Sequence, residues 1–94
     1  MKKNIIKAYG LTAQLDILQE ECSELIWAVS QHKRAMGEGY AIKKTKKETK
    51  ETIIREMAHV MNAINSVMYL MPIAIEQVKD EIQKSDELAE RNLK

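Results

Sequence analysis

Residues 12–31, TAQLDILQEECSELIWAVSQ, decide the fold. Leu15, Leu18, Cys22, Leu25, Ile26 and Val29 recur there at helical spacing and line one side of a long helix. The opposite side is not uniformly polar: Ile17, Trp27 and Ala28 are interleaved with Glu21, Glu24 and Gln31. A helix with apolar residues on two sides is expected to be covered on both. Its carboxylates then sit in a partly apolar cleft rather than in open water.

Reading outward from this stretch gives the rest of the chain. Residues 4–9 are expected to form a short amphipathic helix ending at Gly10, and Thr12 to cap the long helix that follows. Nothing interrupts the helical pattern until Gly37 and Gly39. Residues 37–47 read as a polar, basic loop holding Lys43, Lys44, Lys46 and Lys47. A second long helix starts between Thr45 and Thr49, with Ile53, Met57, Val60, Ile64, Val67, Met68 and Met71 as its stripe. Pro72 ends it, because an interior proline removes a backbone donor and clashes with the preceding turn. A third helix runs from about Ala74 to the end, with Ile75, Val78, Ile82, Leu88 and Leu93 turned inward. No strand alternation, hairpin turn or repeat is present. The expectation is one all-α domain over residues 1–94: two long antiparallel helices with a C-terminal helix packed beside them.

Size sharpens this picture. A 94-residue chain hides only about 60% of its unfolded surface when folded alone. Yet 45% of its residues are hydrophobic, with six Met and no Phe, more than one small core holds. A homodimer or homotetramer completing a four-helix core is therefore expected. Fifteen basic against fourteen acidic residues leave a net charge of +1, unlike the basic excess of a dedicated nucleic-acid binder. Cys22 is the single cysteine, and with His32 and His59 it matches no zinc spacing. Lys7 interrupts the apolar start at Ile5 and Ile6, so no secretory leader is expected. No apolar run nears the roughly 18 residues of a membrane span, and a reducing cytoplasm is the expected location.

Chemistry concentrates on the two long helices. Glu20 and Glu24 are i, i+4 neighbours and Glu21 and Glu24 are i, i+3 neighbours. Like charges at those spacings repel by a few tenths of a kcal/mol per pair. A hard divalent cation removes that cost, because it takes carboxylate oxygens; a solvated acidic face is the plainer alternative. On the second helix Glu56 and His59 are again i, i+3 neighbours, on the flank of the apolar stripe near Thr52 and Ala63. Alone, His59 reads as a half-buried, hydrogen-bonded histidine. Together, inward-facing carboxylates on opposed helices are a known way to build a metal site.

These residues also carry a resemblance. Gln19-Glu20-Glu21-Cys22-Ser23-Glu24-Leu25, followed after a gap by Arg55-Glu56-Met57-Ala58-His59-Val60-Met61-Asn62, resembles the MazG-like, all-α nucleoside triphosphate pyrophosphohydrolase superfamily. The signature of that family is E-E-x-x-E on one helix and E-x-x-D on the next. Glu20, Glu21 and Glu24 match the first half in full, and the likeness extends over about residues 14–71. The size is similar to that of short phage and prophage members. The resemblance implies Mg²⁺-dependent hydrolysis of NTPs or dNTPs to the monophosphate and pyrophosphate, with a role in nucleotide-pool cleansing. It implies Glu21, Glu24 and Glu56 as metal ligands, and Glu20 as a ligand or as the group orienting the attacking water. Lys84 and Arg91 on the third helix, or the Lys43–Lys47 loop, would add positive charge. Asn62 would touch sugar or base, and Trp27 would stack on a base or pack in an interface.

One departure stands out: His59 occupies the place of the final Asp. Imidazole is a poor ligand for Mg²⁺ and a good one for Mn²⁺ or Zn²⁺. Three outcomes follow: a site short of one acidic ligand, a changed metal preference, or a degenerate site that no longer catalyses. The last would make the chain a non-catalytic helical dimerisation or regulatory module. A third reading, a small nucleic-acid-associated protein using its 43–50 lysines, predicts steeply salt-dependent binding.

Overall fold

The computed structural model describes residues 2–93, with side chains from residue 9 onward, and the described residues form three helices and no strand. They are α1 (Lys2–Ala35), α2 (Lys46–Leu70) and α3 (Ile75–Leu93), so the fold is all-α as expected. Within α1 the helical path breaks at Gly10, whose φ of 78° and ψ of 174° lie outside the helical region. Open space surrounds that position, so the demand for glycine comes from the positive φ and not from crowding. The cap of the long segment is therefore at Gly10. Thr12, expected in that role, lies two residues inside the helix.

The other boundaries follow local chemistry. At the end of α1 Gly37 takes φ 98°. Its amide donates to the Arg34 carbonyl and the Glu38 amide to the Lys33 carbonyl, each at 3.0 Å. That pair of bonds closes the helix on a left-handed glycine, as the Schellman motif requires. His32, Lys33 and Arg34 fill the last turn, where positive charge meets the negative end of the helix dipole. Thr45 caps α2: its hydroxyl accepts from the Glu48 amide at 3.1 Å while the Glu48 carboxylate accepts from the Thr45 amide at 3.2 Å. This reciprocal box fixes the start of the helix. Pro72 follows directly on the cap residue Met71.

α1 and α2 form an antiparallel hairpin, the one helix pair with an extensive contact among the described residues. Of the large apolar stripes, only Val67 is buried in their seam. Its buried residues are Gln14 and Ala28 on α1 and Thr49, Ala63, Ser66 and Val67 on α2. Gln14, Glu21 and Ala28 are spaced by seven, and so are Thr49, Glu56 and Ala63. Each helix thus offers a polar, a glutamate and an alanine position in a coiled-coil repeat. The small side chains let the backbones approach closely, so the two central glutamates meet across the seam. Leu15, Leu18, Cys22 and Leu25 are only half-buried, and Ile26, Met57 and Met61 are exposed.

The third helix departs from expectation. α3 is amphipathic, yet none of its residues is buried and it does not pack on the hairpin. Ile75, Ile82, Leu88 and Leu93 face solvent, which corrects the inward reading. Periodicity records that a helix has a face to cover, and it does not name the partner. The isolated chain is accordingly extended. Its radius of gyration is 16.9 Å, against about 12 Å for a compact domain of this length. Its accessible surface is 7597 Å², against about 5,500 Å² for a compact monomer of this mass. No described helix is long and apolar enough to cross a membrane.

Candidate metal centre

Midway along the seam, Glu21 and Glu24 of α1 meet Glu56 and His59 of α2. One ligand atom from each of the four lies within 4.8 Å of all the others. Local spacing explains the convergence: i, i+3 pairs on both helices stand on adjacent turns of one face, and the antiparallel register brings the two pairs together. His59 Nδ1 is 3.3 Å from Glu21 Oε2 and 3.5 Å from Glu56 Oε2. Neither approach is directed as a hydrogen bond, and both of these carboxylate oxygens are buried without a hydrogen-bond partner. Leaving a buried acceptor unsatisfied costs about 1–3 kcal/mol, more when it is charged.

Glu24 registers the crowding. Its carboxyl is held above the usual carboxylate range, first by the charge of Glu21, then by partial desolvation, and then by a hydrogen bond and charge from Glu56 and the charge of Glu20. Little positive charge compensates: Arg55 Nε is 3.9 Å from Glu56 Oε1 and is largely exposed. The donor set therefore fits a divalent cation. Three carboxylates and one imidazole offer hard oxygen and borderline nitrogen ligands, and two of the oxygens are buried and in need of a partner.

Two clefts flank the cluster. One, of about 360 Å³, is lined by Glu20, Ser23, Glu24, Trp27, Thr52 and Glu56; that volume lies within the range of small-molecule sites. The other, of about 210 Å³, is lined by Gln14, Ile17, Glu21, His59, Asn62 and Ser66. Glu20 thus stands beside the four-donor group and not within it. Trp27 and Asn62, both expected near a nucleotide, line different clefts. Lys84 and Arg91 lie on α3, away from the hairpin seam within one chain, and Lys84 pairs with Glu81 at 3.3 Å. The lysines at positions 43, 44, 46 and 47 are all exposed.

Sequence reasoning missed the supports of the site. Gln14 and Ser66 close one end of the seam; the seven-residue spacing of Gln14, Glu21 and Ala28 was the available signal. At the other end Thr49 is fully buried, with its hydroxyl 3.0 Å from the Thr45 carbonyl and 3.1 Å from that of Lys46. That hydroxyl proton is committed to the backbone, so His32 Nδ1, at 2.8 Å, donates to Thr49. This bond locks α1 to α2 below the carboxylates. Arg34, whose guanidinium carbon lies 5.7 Å from the centre of the Trp27 ring and 6.0 Å from that of Tyr40, was also missed, because Tyr40 reaches it only through the path of the loop. Compared with family models, with curated proteins and with solved structures, the chain matches none, and the reading of the site rests on its own residues.

Proposed function

We propose that this chain is a metal-dependent pyrophosphohydrolase of nucleoside triphosphates, ribo or deoxy, of the MazG-like kind, acting in the cytoplasm in nucleotide-pool cleansing. The observation that carries this reading is the convergence of Glu21, Glu24, Glu56 and His59, with two buried carboxylate oxygens lacking partners. Glu21, Glu24, Glu56 and His59 would hold a divalent cation, which would supply neutralisation of triphosphate charge and Lewis-acid polarisation. Mg²⁺ is the cofactor the carboxylates favour, and Mn²⁺ the one that His59 favours.

The residues of the chain divide the remaining work. Glu20, in the cleft beside Glu24 and Glu56, orients the attacking water and accepts its proton. Trp27 lines the same cleft and offers an aromatic face to the nucleoside. His32 and Thr49 keep α1 and α2 in register, which holds the carboxylates within reach of one another. The uncovered stripes of α1, α2 and α3 are buried by further copies of the chain, as a homodimer or homotetramer. The surface in excess of a compact monomer, about 2,000 Å², is of the size an obligate interface hides.

Product analysis tests this reading. Incubation of a triphosphate with Mg²⁺ or Mn²⁺ is expected to yield the monophosphate and pyrophosphate in equal amounts. Diphosphate and orthophosphate as products would contradict it. A folded oligomer yielding no product would favour the non-catalytic module instead, for which the exchange of the expected Asp for His59 is the specific motive.

A further inference from the structure

The end of the hairpin where α1 passes through the loop into α2 gathers the positive charge of the chain. Residues 33–51 carry seven basic and three acidic side chains, and the rest of the chain eight basic and eleven acidic. The net charge of +1 therefore divides into +4 at this tip and −3 elsewhere. Lys33, Lys43, Lys44, Lys46, Lys47 and Lys50 are all exposed, and among the described residues none of them is in an ion pair. The placement works against the helix it belongs to. Lys46 and Lys47 stand in the first turn of α2, at the positive end of its dipole, where a cation destabilises. Lys46 and Lys50 repel as i, i+4 neighbours. An anion seated on the tip offsets both costs.

Aromatic surface lies beside this charge. Tyr40 follows Gly39, whose φ is 76°, and is 82% exposed. The Arg34 guanidinium, held over Trp27 of its own helix, has its carbon 6.0 Å from the centre of the Tyr40 ring. A cleft of about 240 Å³ opens next to them, lined by Ser30, Lys33, Arg34, Glu38 and Gly39. None of these residues lines the cleft of Glu24 and Glu56, so the tip is a second surface, separate from the candidate metal centre.

The chemistry of the tip chooses among anionic partners. Carboxylates of α3 from a second copy would neutralise the lysines and leave the Tyr40 ring in water. An anionic lipid surface calls for an apolar helix face beside the cations, and residues 37–48 offer only Tyr40, Ala41 and Ile42. A nucleic-acid duplex meets the charge, but its base faces are stacked on one another and closed to a ring. A single strand uses everything present: phosphates on the lysines, an unstacked base on Tyr40, and Arg34 as a planar cation beside it. We infer that the hairpin tip, through Tyr40, Arg34 and the lysines of residues 43–50, binds single-stranded nucleic acid. This surface stands apart from the proposed hydrolase reading and does not depend on it. The acidic remainder of the chain keeps the strand at the tip by repulsion.

The intact protein is titrated into fluorescein-labelled oligothymidylate or oligouridylate with a chelator present, so that the carboxylate centre holds no metal. Anisotropy over a range of salt is the readout, and the two arms separate DNA from RNA. Binding of either strand is expected, with the logarithm of affinity falling by about 0.7 per phosphate neutralised for each ten-fold rise in salt. The combined Lys43→Gln, Lys44→Gln, Lys46→Gln and Lys47→Gln variant is expected to flatten that slope by about 3, and the matching four-fold Lys→Arg variant to preserve it. Tyr40→Ala is expected to weaken the single strands on the order of ten-fold and to leave the weaker binding of duplex DNA unchanged. Its exposed loop position makes it decisive should the Gln variant lose its circular dichroism. No binding of either strand at low salt, or equal binding by a folded Gln variant, would overturn the surface. Equal affinity for single strand and duplex, with no effect of Tyr40→Ala, would overturn the single-strand assignment. Capture by phosphatidylserine vesicles without binding of the oligonucleotides would assign the tip to a membrane instead. Loss of oligomeric mass in the Gln variant would assign its lysines to an interface between copies, and would equally overturn the proposal.

Discussion

His59 Nδ1 lies 3.3 Å from Glu21 Oε2, across the seam between α2 and α1. The imidazole therefore stands among the carboxylates, where the resemblance places an Asp. His59→Asp adds a fourth carboxylate to the three of Glu21, Glu24 and Glu56. The metal-free variant is expected to melt earlier than the parent, and its Mg²⁺-supported turnover to rise relative to Mn²⁺. Parallel assays with the two metals check this; an unchanged ratio would remove His59 from the ligand shell.

Glu24→Gln keeps side-chain volume and removes one ligand charge. Turnover should fall by more than the about 10–100-fold that losing an outer-shell partner costs, with the circular dichroism of the folded chain retained. The pH dependence has a definite sign. The Glu24 carboxyl is raised chiefly by Glu21, so the folded state holds more protons than the unfolded one between the two pKa values. The relief of repulsion is present below the unfolded value and is lost as pH rises through the folded one. Added divalent cation should therefore raise the melting temperature most near neutrality, and progressively less as pH falls through the carboxylate range. In Glu24→Gln this pH-dependent gain should be much reduced. A gain of equal size at all pH values would contradict the crowding.

Thr49→Val tests the lock at the base of the seam. Valine fills the same volume and leaves His32 Nδ1 without its acceptor. A destabilisation on the order of 1–2 kcal/mol is expected, with reduced metal affinity because the helices lose register. Denaturant melts measure the first effect and calorimetric metal titration the second. A stable variant with unaltered affinity would reduce the contact to ordinary packing.

The start of α2 gives a separate pH signal. Glu48 is held below the usual carboxylate range by its hydrogen bonds from the Thr45 amide and hydroxyl. Its contribution is present above the unfolded value and is lost as pH falls through the folded one. Thr45→Ala removes the box at a cost of about 1 kcal/mol. It should also flatten the acid side of the stability curve; an acid limb identical to that of the parent would show that the box adds nothing.

Much of this was legible in the residues. Gly10, Gly37 and Pro72 mark helix boundaries because each has a local backbone reason, and the structure puts its breaks there; α2 begins at Lys46, inside the Thr45–Thr49 span. Glu21, Glu24, Glu56 and His59 could be grouped because helical spacing sets which side chains share a face, and the structure brings these four together. What could not be read was the pairing of faces. The large apolar stripes suggested the seam, whereas the helices meet mainly through Gln14, Ala28, Thr49, Ala63 and Ser66, with Val67 alone of the stripes buried. Small residues permit the approach that places two glutamates opposite one another, and that is a property of the pair and of neither helix alone. α3 shows the same limit: its stripe from Ile75 to Leu93 has no partner in its own chain.

The most direct test of the central claim is pyrophosphate release from a panel of NTPs and dNTPs, with Mg²⁺ and Mn²⁺ in parallel and Glu24→Gln as the control. Metal-dependent release by the parent chain, abolished by chelation and by the substitution, is the predicted result. No release with either metal from a folded, oligomeric protein, or equal release by Glu24→Gln, would contradict it.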